Sequence, residues 1–286
     1  MQYSDQKKGM LITFIAVMFI TPDSLLIRLA NIHSWNLIFY RGAIPFVVVF
    51  LGLLIIYKTK LIKIIINNGW HGFFYVCVFT ITNIAFIISI ENTNVANTLV
   101  MIALAPMLSA IISLFFLNEN PNKNTWIAII ITSLSVVFIF YGSLEAGDFL
   151  GNFFGLITAS GLAVGAVIIR SAKKISLVPS AMLGKLMVGL ISLLFASELY
   201  LRGNDIIIIP LMCIMCVAIP FVLVTIAPRY ITAAEVNLFF LLETILGPIW
   251  VWLVIKEQPN VETIIGGSII IATIAMHSTL ALKKKK

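Results

Sequence analysis

The sequence predicts an all-α membrane protein of ten transmembrane helices arranged as two inverted five-helix repeats. Three observations carry that expectation. Hydrophobic residues make up 60% of the 286 positions and charged residues only 11%, with a mean hydropathy of +1.08; soluble domains carry about 25% charge. Apolar runs of spanning length recur between short polar breaks. The second half of the chain repeats the first at a near-constant offset. A soluble domain of this size has too little interior to hide so much apolar surface. Hydrocarbon, in contrast, accepts outward-facing Leu, Ile and Phe without cost.

A helix needs about 20 mostly apolar residues to cross roughly 30 Å of hydrocarbon. The first such run, 9–29, follows Lys7 and Lys8 and so resembles a signal peptide. It lacks a small-residue cleavage site and continues through Pro22 and Asp23 to Leu29, so it reads as a retained span. Asn31-Ile32-His33-Ser34 separates it from 35–57, which stops at Lys58-Thr59-Lys60. The third and fourth runs, 71–90 and 96–117, are divided only by the short Glu91-Asn92-Thr93-Asn94 turn. Asn118-Glu119-Asn120-Pro121 then leads to the fifth, 124–142. Gly147-Asp148 opens the second half, with 151–170 and 180–200 broken from 207–227 by Arg202-Gly203-Asn204-Asp205. The last two runs are 232–255 and 261–281, and Lys283 to Lys286 follow as an anchor beside anionic lipid. The expected domains are 1–146 and 147–286, one repeat each.

Basic residues set the orientation. With both termini inside, Lys7, Lys8, Lys58, Lys60, Lys63, Lys123, Arg170, Lys173, Lys174, Arg229 and the four terminal lysines fall on the cytoplasmic side. Only Arg28, Arg202 and Lys256 fall outside, while Arg41 and Lys185 lie within the membrane. The acidic loop with Glu145 and Asp148 also falls outside. The reverse topology would invert this bias against the positive-inside rule. The expected location is therefore a bacterial inner membrane, crossed an even number of times. The net charge of +7 belongs to that distribution and gives no reason to expect nucleic acid.

The internal repeat carries the functional expectation. Glu119-Asn120-Pro121-Asn122 recurs as Glu257-Gln258-Pro259-Asn260, each before an apolar helix, and Gly9 to Arg28 matches Gly151 to Arg170. Accidental likeness among apolar helices explains matched Ile and Leu, but not two such turns at equivalent places. Repeats with an odd number of spans must lie in opposite orientations. Inverted repeats characterise secondary transporters, whose site lies between the halves near the midplane.

The sequence also resembles the drug/metabolite transporter superfamily in its EamA-type ten-helix branch. Tyr40-Arg41-Gly42, Leu104-Ala105-Pro106 and Leu117-Asn118-Glu119 carry the resemblance in the first half. Leu241-Leu242-Glu243-Thr244, Gly247-Pro248-Ile249-Trp250 and Lys256-Glu257 carry it in the second. Asn118 and Lys256 stand where that family commonly has Gly. The resemblance implies a central cavity lined by spans one to four and six to nine, with spans five and ten peripheral. It does not imply a substrate, because amino acids, nucleotide derivatives and drugs are all carried within the superfamily.

Ionisable groups in hydrocarbon are expensive and mark cavities or partners. The candidates are Asp23, Arg41, Lys185 and Glu243. At about 1.5 Å per residue, Asp23 and Arg41 reach similar depth, so an ion pair in the outer half of the cavity is expected. Arg41 reads either as a substrate ligand or as a tie between helices, and Lys185 either as its mirror counterpart or as a snorkelling cation. Pro22 opens the first span beside Asp23, which favours substrate or proton binding there. Glu243 lies near the midplane with no basic neighbour at its depth, which suits a proton-coupled step. Asn83, Asn97 and Asn237 can bond a ligand or a neighbouring helix. Glu119 and Glu257 read as turn residues, and Trp35, Tyr40, Trp250 and Trp252 as an interfacial belt. His277 reads as structural and His71 as interfacial, and Cys77, Cys213 and Cys216 as packing residues.

No G-x-x-x-x-G-K-[ST] phosphate loop is present, so neither ATP nor any other cofactor is expected, and no metal. An intramembrane enzyme would need a catalytic cluster such as H-E-x-x-H or G-x-S-x-G, which the sequence lacks; a channel would need a filter segment. The expected function is secondary active transport of a small polar metabolite, an amino acid or related zwitterion, coupled to protons or exchange. Export of drugs or other metabolites is the alternative. The expected partners are a small-molecule substrate, the lipid bilayer and a second copy of the chain through Gly266-Gly267-Ser268.

Overall fold

The computed structural model describes residues 3–93, 95–140, 149–197, 199–256 and 261–283. Those residues are helical throughout their regular structure. The chain opens with α1 (Tyr3–Ile20) and α2 (Asp23–Leu29), followed by α3 (Ser34–Tyr57), α4 (Leu61–Asn67) and α5 (Gly69–Asn92). Next come α6 (Val95–Ile102), α7 (Ala105–Leu117) and α8 (Lys123–Phe140). The second half contains α9 (Phe149–Ser171), α10 (Val178–Leu193), α11 (Asp205–Met212) and α12 (Ile219–Ile226). It closes with α13 (Ala233–Phe240), α14 (Glu243–Ile255) and α15 (Val261–Lys283). The boundary expected near residue 146 lies outside the described residues.

Among the described residues, six helical stretches are long and apolar enough to cross a membrane. Four further apolar helices, in α7, α8, α10 and α15, are shorter. Their outward faces are apolar: Phe115, Phe116 and Phe149 are each close to four-fifths exposed, as lipid-facing side chains must be. The stretch after Lys58 is more regular than a polar break suggests. It forms α4, whose Ile62 and Ile66 point outward beside Lys60 and Lys63.

Several spans are broken, each with an identifiable cause. Pro22 has no N–H to donate to the Met18 carbonyl four residues back. The Thr21 hydroxyl supplies that bond instead, at 3.0 Å, and in turn accepts from the Trp250 indole at 2.9 Å. The interfacial reading of Trp250 therefore gains a specific role: it pins the break in the first span. Between α11 and α12 the residues Cys213–Ala218 form a π-helical turn, a local widening often found at functional sites.

The fourth and ninth spans break alike. α6 and α13 have 8 residues each, and α7 and α14 have 13 each. Both longer pieces end on a left-handed residue, Asn118 at φ 51° and Lys256 at φ 66°. These are the two positions where glycine was the family expectation, and the backbone explains it: only glycine takes that conformation without a Cβ penalty.

Most of the long helices pack across the two halves of the chain. α3 packs on α10, α5 on α9, α1 on α12, α7 on α13 and α8 on α15. Two apolar clusters result. One joins Val17, Ile129, Leu238 and Ile270, from α1, α8, α13 and α15. The other joins Val49, Tyr75, Met182 and Phe221, from α3, α5, α10 and α12. Where α3 crosses α10, a Cβ on Gly42 would lie 2.5 Å from the Gly189 nitrogen, so the two helices meet backbone to backbone.

Candidate functional site

Between the two apolar clusters lies a cavity of about 160 Å3. Its walls come from α1, α2, α3, α5, α6, α9, α10, α12, α13, α14 and the π-helical turn, while none of the lining residues comes from α8 or α15. The break after α1 puts Asp23 at the start of α2, facing α3. There Arg41 donates from Nη1 to Oδ1 at 2.7 Å and from Nη2 to Oδ2 at 2.8 Å. Asp23 is 2% exposed and Arg41 9%. The pair expected from matched depth is therefore formed, and its two parallel bonds are the strongest geometry available to these groups.

Lys185 is held differently. Its Nζ donates to the Asn83 Oδ1 at 2.5 Å and sits 5.3 Å from the Phe79 ring centroid and 5.8 Å from that of Phe221. Aromatic faces attract a cation without neutralising it. The Asn83 amide is itself fixed, its Nδ2 donating to the Phe79 carbonyl at 2.7 Å. The two residues form one unit across α5 and α10, from opposite halves. Among the described residues Lys185 has no carboxylate within ion-pair distance.

Glu243, the first residue of α14, lines the same cavity. Among the described residues its carboxylate makes no hydrogen bond and no ion pair. Asp23, Arg41, Asn83, Lys185 and Glu243 thus share one space. Asn237 borders an adjoining opening of about 70 Å3, where its Nδ2 donates to the Ala233 carbonyl at 3.2 Å. The side chain of Asn97 lies outside the described residues.

Several wall residues were not singled out from sequence. Phe79, Phe86, Phe221 and Phe240 form apolar faces, and Thr82 and Thr158 add hydroxyls. No periodic signal marks these, because phenylalanine in an apolar helix reads equally as lipid-facing. Cys216 lines the cavity as well, placed there by the π-helical turn, whereas Cys213 stays in an apolar core.

A second, half-buried ion pair joins α9 to the turn after α7. Arg170, at the end of α9, donates from Nε to both carboxylate oxygens of Glu119 at 2.9 and 3.0 Å. Its Nη2 lies 2.8 Å from Oε1, and its Nη1 donates to the Pro228 carbonyl at 3.3 Å. Glu119 is a turn residue that also joins the halves. The corresponding Glu257 turn lies outside the described residues.

Comparison with known proteins agrees with this architecture. The family model described as the EamA-like transporter family matches twice, over residues 7–141 and 149–279. No curated protein matches the chain. One crystal structure of a protein aligns with a TM-score of 0.79 at 15% identity, over 96% of this chain and 99% of that one. At that identity the likeness establishes the fold alone.

Proposed function

This chain belongs to the EamA-like transporter family of the drug/metabolite transporter superfamily, a membrane transporter on that ground, and from that premise we propose that it carries a small polar metabolite by secondary active transport. The ten helical runs then all cross the membrane as two inverted five-helix repeats, 1–146 and 147–286. In this reading both termini face the cytoplasm of a bacterial cell, and rocking of one half against the other exposes the cavity alternately to each side.

The observation that carries the proposal is the cavity itself, which lies between the halves and holds charges of both signs. At about 10–15 Å3 of free space per water-sized group, it admits roughly ten non-hydrogen atoms, the size of a small metabolite. Asp23 and Arg41 satisfy each other, whereas Lys185 and Glu243 have no ionic partner among the described residues. An amino acid or related zwitterion matches that remainder, with its carboxylate towards Lys185 and its ammonium towards Glu243. A carboxylate that makes no bond of its own can also take up and release a proton during the cycle, which favours proton coupling or exchange. The four phenylalanines favour a second reading, export of drugs or other apolar metabolites.

The test is uptake of a labelled metabolite panel into proteoliposomes, with and without a pH gradient, for wild type and Glu243→Gln. The expected outcome is saturable, gradient-dependent flux that the substitution uncouples from the gradient. Gradient-driven flux that Glu243→Gln leaves intact would remove Glu243 from coupling. Absence of saturable flux for every solute would overturn the transport proposal.

A further inference from the structure

Away from the central cavity, a second opening of about 100 Å3 lies between α8 and α15. Thr125 in the first turn of α8 touches His277 near the end of α15, so the start of one helix and the end of the other share one face of the molecule. His277 is 3% exposed. Its Nε2 lies 3.1 Å from the Thr125 hydroxyl, but its buried Nδ1 has no hydrogen-bond partner. A buried polar nitrogen left unpaired is costly and calls for an explanation.

The surroundings indicate which group would pair with it. Asn124 lines the same opening, and the exposed Lys123 opens α8, an 18-residue helix. The first N–H groups of such a helix favour an anion. Further along, the walls become apolar: Ile127, Ile131 and Met276 line the opening. Ile127 is 53% exposed and Met276 54%, so the groove is open towards the hydrocarbon.

We propose that this groove is a binding site for an anionic phospholipid. Its phosphate accepts from His277 Nδ1–H, its charge is met by Lys123 and the α8 N-terminus, and an acyl chain lies along Ile127, Ile131 and Met276. Basic pockets between membrane helices on the cytoplasmic side recognise such headgroups. A free phosphate would not need the apolar walls, and a second protein chain would not need the unpaired nitrogen and the lysine together. The site does not depend on the transport reading, which supplies only the leaflet.

The full chain, purified in non-ionic detergent and stripped of lipid, is titrated with phosphatidylglycerol, with phosphatidylcholine of the same acyl chains, and with inorganic phosphate. Native mass spectrometry counts bound molecules, and the thermal midpoint reports stabilisation. The expected result is preferential retention of phosphatidylglycerol, weakened about fivefold by Lys123→Gln and also by His277→Gln, with Lys63→Gln unchanged as a distant control. Because Lys123 is exposed, its substitution tests the site even where the His277 variant folds poorly. Equal retention of the two lipids, phosphatidylglycerol binding unchanged in Lys123→Gln, equal stabilisation by inorganic phosphate, or a dimer that excludes lipid from the groove would each overturn the proposal. Flux is not read, so failure of the transport proposal leaves these outcomes interpretable.

Discussion

Substituting Arg41 by Gln strands the Asp23 carboxylate among apolar walls, and this should lower stability by about 3–5 kcal/mol, the usual cost of breaking a buried pair. Asp23→Asn combined with Arg41→Gln should cost clearly less than the sum of the two single changes. Unfolding in detergent, run as a double-mutant cycle, measures this coupling. Additive losses would mean that the bidentate contact contributes little. That pairing was legible in the sequence because depth follows from residue count along a helix, and Pro22 marked where the first span opens. The Lys185–Asn83 contact was not legible in the same way. It depends on how α5 and α10 are rotated about their axes, which apolar helices do not encode in their periodicity. Both residues could be nominated one at a time, but not as partners. The phenylalanine walls were equally hidden.

The mirrored breaks make predictions at the level of the helix. Lys256 ends α14 in the left-handed region, where a Cβ costs roughly 1–2 kcal/mol. Lys256→Gly should therefore raise stability by about 1 kcal/mol, and Asn118→Gly by less, since asparagine tolerates that conformation. Thermal midpoints of the two variants check the order. Gly42→Ala should act in the opposite sense. Its new methyl would overlap the Gly189 backbone, force α3 from α10, and cost about 1–3 kcal/mol in overpacking. Because Arg41 and Lys185 flank that crossing, flux should fall more steeply than the midpoint. The repeated Glu-x-Pro-Asn turns announced the equivalence of these helices from sequence alone. The helix breaks at 103–104 and 241–242 were less visible, because an apolar run continues through them. The π-helical turn was invisible for the same reason, and α4 was obscured by the lysines that precede it.

For the whole molecule, the sequence already indicated a membrane protein and its two repeats. It did not indicate that most long helices would pack on partners from the opposite half, because crossing geometry depends on small residues whose spacing is common to all such helices. The Arg170–Glu119 contact belongs to this level too, since it ties the first repeat to the second at one end. The cavity adds a consequence for voltage. When both its acids are ionised, Asp23, Arg41, Lys185 and Glu243 sum to zero. In the proposed cycle, an empty carrier that reorients in this state moves no net charge, so its return step should not respond to membrane potential. Glu243→Gln leaves one positive charge uncompensated, and each charge crossing the full field feels about 2.3 kcal/mol per 100 mV. Electrical recordings on supported membranes should then show a transient current in the variant that the wild type lacks. A silent variant would mean that the walls hold still in the field while the substrate moves past them.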